Sequence, residues 1–286
     1  MMAPGLLMGA VAYDPKVVTI WDGFRRWFRA QDLSFDYVLY SNYERQVEDL
    51  LAGRVHAAWN SPLAWVRARR LAAHSGPAVE AMAMRDTDRD LTSVIVVRAD
   101  SPVATPADLR GRTVASGAVD SPQATLLPLD LLRATGLQPG TDVSVRRFDI
   151  GVGLHGDHIG GERDAARALT AGEVDAACMI DANHLAFSRE GILSPGSTRI
   201  VAQTAPYDHC NMTVVASAPA GPVARFRELL LAMDYGDAEV RPLLDLEGLT
   251  QWLDGRVGGY QALEGAVDRS AFYDHEGAIT AVDYQP

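Results

Sequence analysis

The feature that most constrains the fold of this chain is the alternation of short apolar runs with longer amphipathic runs. Residues 35–40 and 92–98 are compact runs rich in Val, Ile and aromatic side chains, whereas residues 17–29 and 162–171 space their apolar side chains at helical intervals. Strand-like and helix-like segments that alternate along a chain are typical of an α/β protein, in which helices cover a largely parallel sheet. The sequence therefore predicts an α/β fold.

The length of the chain and the position of its loop and helix-start signals predict two lobes. A chain of 286 residues suits two domains or one large one. A new section opens at Ser101-Pro102, where Thr105 and Pro106 provide the N-cap and the first residue of a helical turn before the strand pattern restarts. We expect residues 1–98 together with 235–286 to form lobe I, and residues 99–234 to form lobe II.

The charge and the N-terminal residues limit the expected partners and location. The formal net charge is −11 and the isoelectric point is near 5.0, so the surface repels phosphate backbones and no nucleic-acid partner is expected. Residues 1–10 lack the basic start of a signal peptide, and no apolar run approaches the roughly 20 residues of a membrane span. The sequence as written predicts a cytoplasmic protein with no membrane span. If a leader was removed, we expect a periplasmic or lipid-anchored protein.

Polar side chains follow many of the predicted strands. In open α/β sheets, ligands bind beyond the carboxyl ends of the strands, and a cleft between two lobes is a preferred place for a small molecule. Some of these residues, Asn42 and Asp181 among them, could serve only as helix N-caps. Taken together, they predict an interlobe ligand site that contains Tyr13, Asn42, Asn60, Ser61, Ser121, Gln123, Thr125, His155, His158, Asp181 and His209.

The segment 121–125 favours an anionic ligand. Ser121 followed by Pro122 is typical of a helix start, with a serine N-cap and a proline at the first helical position. The same geometry presents hydroxyl and N–H groups to an anion, so helix capping and anion binding are compatible. We expect Ser121, Gln123 and Thr125 to hold the anionic end of a small-molecule ligand.

A glycine-rich loop with two histidines joins a predicted strand to a predicted helix at residues 153–162, and His209-Cys210 forms a second polar cluster. His155, His158, Glu162 and His209 are side chains of the kinds that bind Zn or Fe, although their spacing matches no strict zinc motif. Alternatively, His158, His209 and Cys210 could form an acid–base and thiol site. A glycine-rich turn with solvent-facing histidines, together with a buried structural Cys210, is the alternative interpretation.

The order of elements resembles the type 2 periplasmic-binding fold, and is most similar to the phosphate/phosphite/phosphonate-type solute-binding proteins of ABC transporters. The segments that carry the resemblance are residues 47–60, 92–102, 107–116, 120–127 and 166–181. The resemblance implies two lobes, each a mostly parallel sheet covered by helices, with a ligand cleft between them. It also implies that the helix start at 121–125 binds an oxyanion and that Asp181 lies in the cleft.

Two functions follow from the resemblance. The first is a binding protein that closes its lobes on an anionic small molecule, phosphonate-like, phosphate-like or carboxylate, with an ABC permease as partner if the protein is exported. The loop 155–162 and the segment 209–211 depart from the pattern of the carriers. They favour an alternative, a cytoplasmic lyase, decarboxylase or biosynthetic enzyme on the same scaffold that uses His158, His209 and Cys210.

Overall fold

Two mixed β-sheets organise the chain. The computed structural model describes residues 5–156 and 160–286. The first sheet has the order β11-β4-β10-β3-β1-β2 and the second has the order β7-β6-β8-β5-β9. The strands are β1 (Leu6–Val11), β2 (Phe35–Tyr40), β3 (Ala57–Asn60), β4 (Val79–Arg85), β5 (Ser93–Arg98), β6 (Thr113–Ser116), β7 (Ser144–Arg147), β8 (Ala176–Ile180), β9 (Thr198–Gln203), β10 (Asn211–Val215) and β11 (Trp252–Asp254).

Helices cover both sheets, as the alternating pattern predicts. A π-helical turn at Pro122–Leu126 leads directly into the fourth α-helix. The helices are α1 (Lys16–Ala30), α2 (Tyr43–Leu51), α3 (Pro62–Ser75), α4 (Leu127–Ala134), α5 (Gly161–Thr170), α6 (Asp181–Arg189), α7 (Ala220–Leu231), α8 (Arg241–Glu247) and α9 (Gln261–Ser270). None of the helices in the described part of the chain has the length and apolar character that a membrane span requires.

Each sheet contains a strand inserted against the common direction. In the first sheet β1 to β4 run the same way, and β10 lies antiparallel between β3 and β4. In the second sheet β5 lies antiparallel between β8 and β9. Both inserted strands directly follow a passage of the chain from one sheet to the other. The expectation of mostly parallel sheets describes the majority of the strands, and the inserted strands make both sheets mixed.

The strand pairing corrects the predicted lobe boundaries at two places. Strand β5 pairs within the second sheet, although residues 93–98 fall in the predicted lobe I. Strand β10 pairs within the first sheet, although residues 211–215 fall in the predicted lobe II. The chain therefore crosses between the sheets at residues 86–92 and 204–210. The predicted boundary at residues 98–99 was wrong because Ser101-Pro102 marks only a loop that follows β5.

The core of the first lobe follows from the helical period of α1. Ile20, Trp21, Phe24 and Phe28 recur at intervals of one, three and four residues and are almost completely buried against the sheet. Each large side chain of this kind stabilises the fold by about 1.5–3 kcal/mol when it is fully buried. Trp252 of β11 joins the same cluster in a T-shaped contact with Phe24. The short strand β11 extends the sheet at its edge.

The C-terminal tail contacts both lobes. Phe272 and Tyr273 share an apolar cluster with Leu63 of α3 and with Leu127 of α4. Two ion pairs, Arg269 with Asp130 and Arg147 with Asp283, also join the tail to the second lobe. The sequence predicts that the tail belongs to lobe I alone, whereas in the structure the tail contacts both lobes.

Candidate functional site

A cavity of about 540 Å³ opens between the two lobes. Tyr13, Lys16 and His209 line it from the first lobe, and Gln123 and Glu162 line it from the second. Four residues of the predicted ligand or metal sets, Tyr13, Gln123, Glu162 and His209, therefore share one cavity. Further charged and amide side chains in its lining are Arg85, Asp88, Arg163, Asn183, Asp245 and Glu247.

A buried ion-pair network forms the wall from the first lobe. Arg85 donates hydrogen bonds to both carboxylate oxygens of Asp88, at 2.6 Å from Nε and 2.8 Å from Nη2, and its Nη1 lies 3.3 Å from Glu247 Oε1. Burial alone would raise the pKa of Asp88, but the charge and hydrogen bonds of Arg85 outweigh it and hold that pKa below its usual range. The carboxylates that this network presents to the cavity are therefore already partly neutralised by Arg85.

His209 and Cys210 adjoin this network. His209 Nδ1 lies 3.4 Å from Asp88 Oδ1 and 3.2 Å from Cys210 Sγ. His209 lines the cavity, while Cys210 packs in the apolar core of the first lobe. Residues 208–210 lie outside any strand; the N–H of His209 donates to the carbonyl of Asp88, and the Tyr260 hydroxyl donates to the carbonyl of His209. The imidazole and the thiol lie together in this irregular segment.

The predicted metal ligands do not assemble as a set. His155, Glu162 and His209 form no three-ligand cluster in the described residues, because the His155 ring is bound elsewhere, and His158 lies outside the described residues. The side chains that do come within 4.8 Å of one another are Asp88, His209 and Cys210. Both oxygens of Asp88 already accept hydrogen bonds from the Arg85 guanidinium, so a metal cation there would stand beside a positive charge.

Glu162 is the buried carboxylate of the opposite wall. Its Oε2 accepts hydrogen bonds from the backbone N–H of Ile180 and from the Asn183 amide, both at 2.9 Å. Burial raises the pKa of Glu162, and these hydrogen bonds offset only part of that rise. Glu162 thereby couples the start of α5 to the end of β8 and the start of α6, and it faces the cavity from the second lobe.

Helix starts converge on the cavity. Lys16 is the first residue of α1, Arg163 lies in the first turn of α5, Asn183 lies in the first turn of α6, and Gln123 lies in the π-helical turn that precedes α4. The first turn of a helix leaves N–H groups without intrahelical partners and carries a partial positive charge. Four such turns around one cavity favour negative charge inside it.

His155 belongs to a second, separate network. Its Nδ1 is hydrogen-bonded to Ser61 Oγ, and its Nε2 lies 3.0 Å from Glu44 Oε1, which also accepts a 2.6 Å hydrogen bond from the Tyr273 hydroxyl. The backbone N–H of His155 donates to Asp120 Oδ2 at 3.0 Å. Burial would raise the pKa of Glu44, but the attraction and hydrogen bond of His155 lower it to about 2.

Ser61, His155 and Glu44 are hydrogen-bonded in the same order as the serine, histidine and acid of a catalytic triad. In this structure they form a buried contact between parts of the chain. The side chains of Ser61 and His155 are buried, and neither lines the interlobe cavity. Ser61 Oγ also caps α3 by accepting a hydrogen bond from the N–H of Ala64. Because Glu44 and Ser61 come from the first lobe, His155 from the second and Tyr273 from the tail, the network fastens these three parts together.

The remaining predicted residues serve visible structural roles. Asn42 caps α2 by accepting from the N–H of Arg45, and Ser121 caps the π-helical turn by accepting from the N–H of Ala124. Asn60 bonds Thr213 within the first sheet. Asp181 begins α6 beside the cavity-lining Asn183, and Thr125 lines a different cavity. A ligand contact by any of these residues stays a prediction.

Sequence reasoning missed several residues that line the cavity. Lys16 carries a readable signal, because it follows Asp14-Pro15 at a strand-to-helix turn. Arg85 and Asp88 lie at the end of an apolar strand, where the chain crosses between sheets. Glu247 carries no local signal, since only the return of the C-terminal region to the first lobe brings it to Arg85.

Comparison with known proteins now decides the family. Residues 10–255 match the family described as ABC transporter, phosphonate, periplasmic substrate-binding protein. The chain belongs to this family. Membership implies a small-molecule ligand and a permease partner, and the expected binding function is thereby confirmed. The enzyme alternative receives no support, and neither does the cytoplasmic location, since the family is periplasmic. Among curated proteins, no sequence relative is found.

Solved structures share the fold at low sequence identity. The chain is similar to PhnD1 of Prochlorococcus marinus in complex with methylphosphonate, with a TM-score of 0.67, 17% identity, and coverage of 92% of this chain and 97% of that one. It is also similar to a Xanthomonas citri protein bound to ATP, with a TM-score of 0.69, 19% identity, and coverage of 93% of this chain and 98% of that one. For the binding-protein component of a Pseudomonas aeruginosa phosphonate transporter, the TM-score is 0.63, the identity is 12%, and the coverage is 92% of this chain and 85% of that one. These likenesses confirm the two-lobed fold.

Proposed function

We propose that this protein binds a small organic anion, phosphonate-like or carboxylate, in the interlobe cavity and delivers it to an ABC permease in the periplasm. The observation that carries the proposal is the convergence of four helix first turns on one cavity, with Lys16 and Arg163 on opposite walls. The partial charges of the helix starts and the two cations favour an anionic group between them.

The charges of the cavity also restrict the rest of the ligand. Arg85 is matched by Asp88 and Glu247, so among the described residues of the lining Lys16 and Arg163 are the cations that remain for the anionic group, with Arg163 also paired to the exposed Glu190. The buried carboxylate of Glu162 faces the same space. A buried carboxylate prefers a donor opposite it, which supports a ligand that carries a hydroxyl or an amine as well as its anionic group.

Calorimetric titration tests the ligand class. We expect at least one of methylphosphonate, 2-aminoethylphosphonate, methanesulfonate, phosphate and acetate to bind, and the tightest ligand to raise the thermal midpoint. A ligand present at about 100 times its Kd stabilises the folded state by about 2.7 kcal/mol. If none of these compounds binds or stabilises the protein at millimolar concentration, the proposed ligand class is wrong.

Removing either cation should weaken binding. Lys16→Met and Arg163→Met each delete a charge-assisted contact of about 1.5–3 kcal/mol, so we expect the Kd for the best anion to rise roughly tenfold or more. Arg45→Met, at an exposed position on α2 away from the cavity, is the matched control and should bind as the wild type does. Equal affinity of all four proteins would place the anion elsewhere.

We also propose that the lobes close over the ligand. The chain crosses between the sheets at residues 86–92 and 204–210, and such crossings are the segments that absorb the backbone change in a hinge motion. Small-angle scattering at saturating ligand should therefore show a more compact particle than scattering without ligand. Superimposable profiles would instead indicate a rigid, preformed cavity.

A further inference from the structure

A second cavity, of about 780 Å³, lies between the second lobe and the C-terminal tail. Its apolar lining includes Leu126 and Leu129 of the second lobe, Val145 of β7 and Phe272 of the tail. It shares no lining residue with the interlobe cavity. Its volume lies in the range of small-molecule sites, which are roughly 300–1,000 Å³ and mostly apolar with a few placed polar groups.

Two polar side chains in this cavity have buried atoms without a partner in the described part of the chain. Nε and Nη1 of Arg133 and Oγ1 of Thr125 have no hydrogen-bond partner, and Thr125 is only 4% exposed. Buried polar groups in folded proteins are nearly always hydrogen-bonded, because an unpaired one retains its full desolvation cost. Both residues line the cavity, so an acceptor bound there would lie beside unpaired donors.

The other charges around the cavity are already paired. Arg147 binds Asp149 and Asp283, and Arg269 binds Asp130. Burial lowers the pKa of the Arg133 guanidinium, the nearby Asp130 opposes this effect, and Arg269 adds to it. Arg133 makes no ion pair with the described residues, and one negative charge is sufficient to match its partly buried guanidinium.

We propose that this second cavity binds a singly charged organic carboxylate with an apolar body. The carboxylate accepts hydrogen bonds from the Arg133 guanidinium and the Thr125 hydroxyl, while the apolar body packs against Leu129 and Phe272. A carboxylate of charge −1 fits better than a doubly charged phosphate, because Asp149 and Asp283 also line the cavity and repel excess negative charge. The site is independent of the interlobe cavity and of its ligand.

Titration with hexanoate and benzoate tests the second site. We expect at least one of them to bind the wild-type protein at millimolar or lower concentration, by calorimetry and by saturation-transfer NMR. Arg133→Met and Thr125→Val should each raise the Kd, the former roughly tenfold or more. Arg189→Met, at an exposed position on α6 of the same lobe, is the control and should bind as the wild type does. No binding of either acid, or wild-type affinity in both cavity variants, overturns the proposal.

Two further readouts separate this site from the interlobe site and from a structural role. Lys16→Met should retain wild-type affinity for the carboxylate, and saturating methylphosphonate should not displace it; displacement would assign both ligands to one cavity. Without ligand, Arg133→Met should melt at the same temperature as the wild type or higher, because it removes a partly buried charge that makes no ion pair with the described residues. A clearly lower melting temperature would make Arg133 a structural residue and overturn its assignment to a ligand.

Discussion

Arg85→Met is expected to lower the free energy of unfolding by about 3–5 kcal/mol. Arg85 matches two carboxylates, and the side chains of Asp88 and Glu247 are only 1% and 4% exposed. Methionine fills most of the volume of the arginine side chain, but it leaves both acids buried without their cation and removes the guanidinium from above the Trp59 ring. The cost comes from these uncompensated charges and not from a cavity.

Urea denaturation followed by tryptophan fluorescence measures this effect. The matched control is Arg227→Met, which removes an exposed ion pair with Asp254 and should cost less than about 1 kcal/mol. A second comparison uses Arg85→Met combined with Asp88→Asn, in which part of the lost stability should return because one buried charge is removed. If Arg85→Met costs no more than the Arg227 control, the network does not hold the wall of the cavity.

The second large effect is a loss of stability in acid that depends on Glu44. The pKa of Glu44 is about 2 in the folded protein against an ordinary value of 4.5. The unfolded chain therefore takes up this proton at a higher pH than the folded protein does. The stabilisation is fully present above about pH 5 and is lost as the pH falls from there toward 2; it amounts to about 3 kcal/mol.

Glu44→Gln isolates this contribution. The variant should be less stable than the wild type at pH 7 by about 3 kcal/mol, and the two curves should converge as the pH approaches 2. Glu228→Gln, at a position whose side chain is 67% exposed, serves as the control and should follow the wild-type curve. Parallel curves for the wild type and Glu44→Gln from pH 7 to pH 3 would show that the network around His155 does not favour the ionised form of Glu44.

Much of the fold can be predicted because its signals are local. The strand predicted at residues 35–40 is β2, and the helix predicted at residues 17–29 is α1 at Lys16–Ala30. The period of the buried side chains identifies such elements without any long-range information. Strand β11 escapes prediction because three residues at a sheet edge are too short to show a period.

The candidate site can be predicted only in part, for a related reason. Tyr13, Gln123 and Glu162 share the interlobe cavity, and each lies next to the end of a strand or the start of a helix, where sequence reasoning looks for ligands. His209 joins them from the crossing that precedes β10. Ser61 also follows the end of a strand, yet it bonds to His155 in a buried network. A polar residue at a strand end can face a ligand or another side chain, and the local sequence is the same in both cases.

The sequence by itself determined the alternation of strands and helices, the two-lobed α/β class and the resemblance to the binding-protein family. These features depend on burial periods and helix caps, which are set by residues close together in the sequence. Only the tertiary structure decided which charged residues share a cavity. Arg85 and Glu247 are 162 positions apart, and Ser61 and His155 are 94 apart. Such contacts depend on how the sheets, the two crossings and the tail pack together, and that packing is a property of the whole chain.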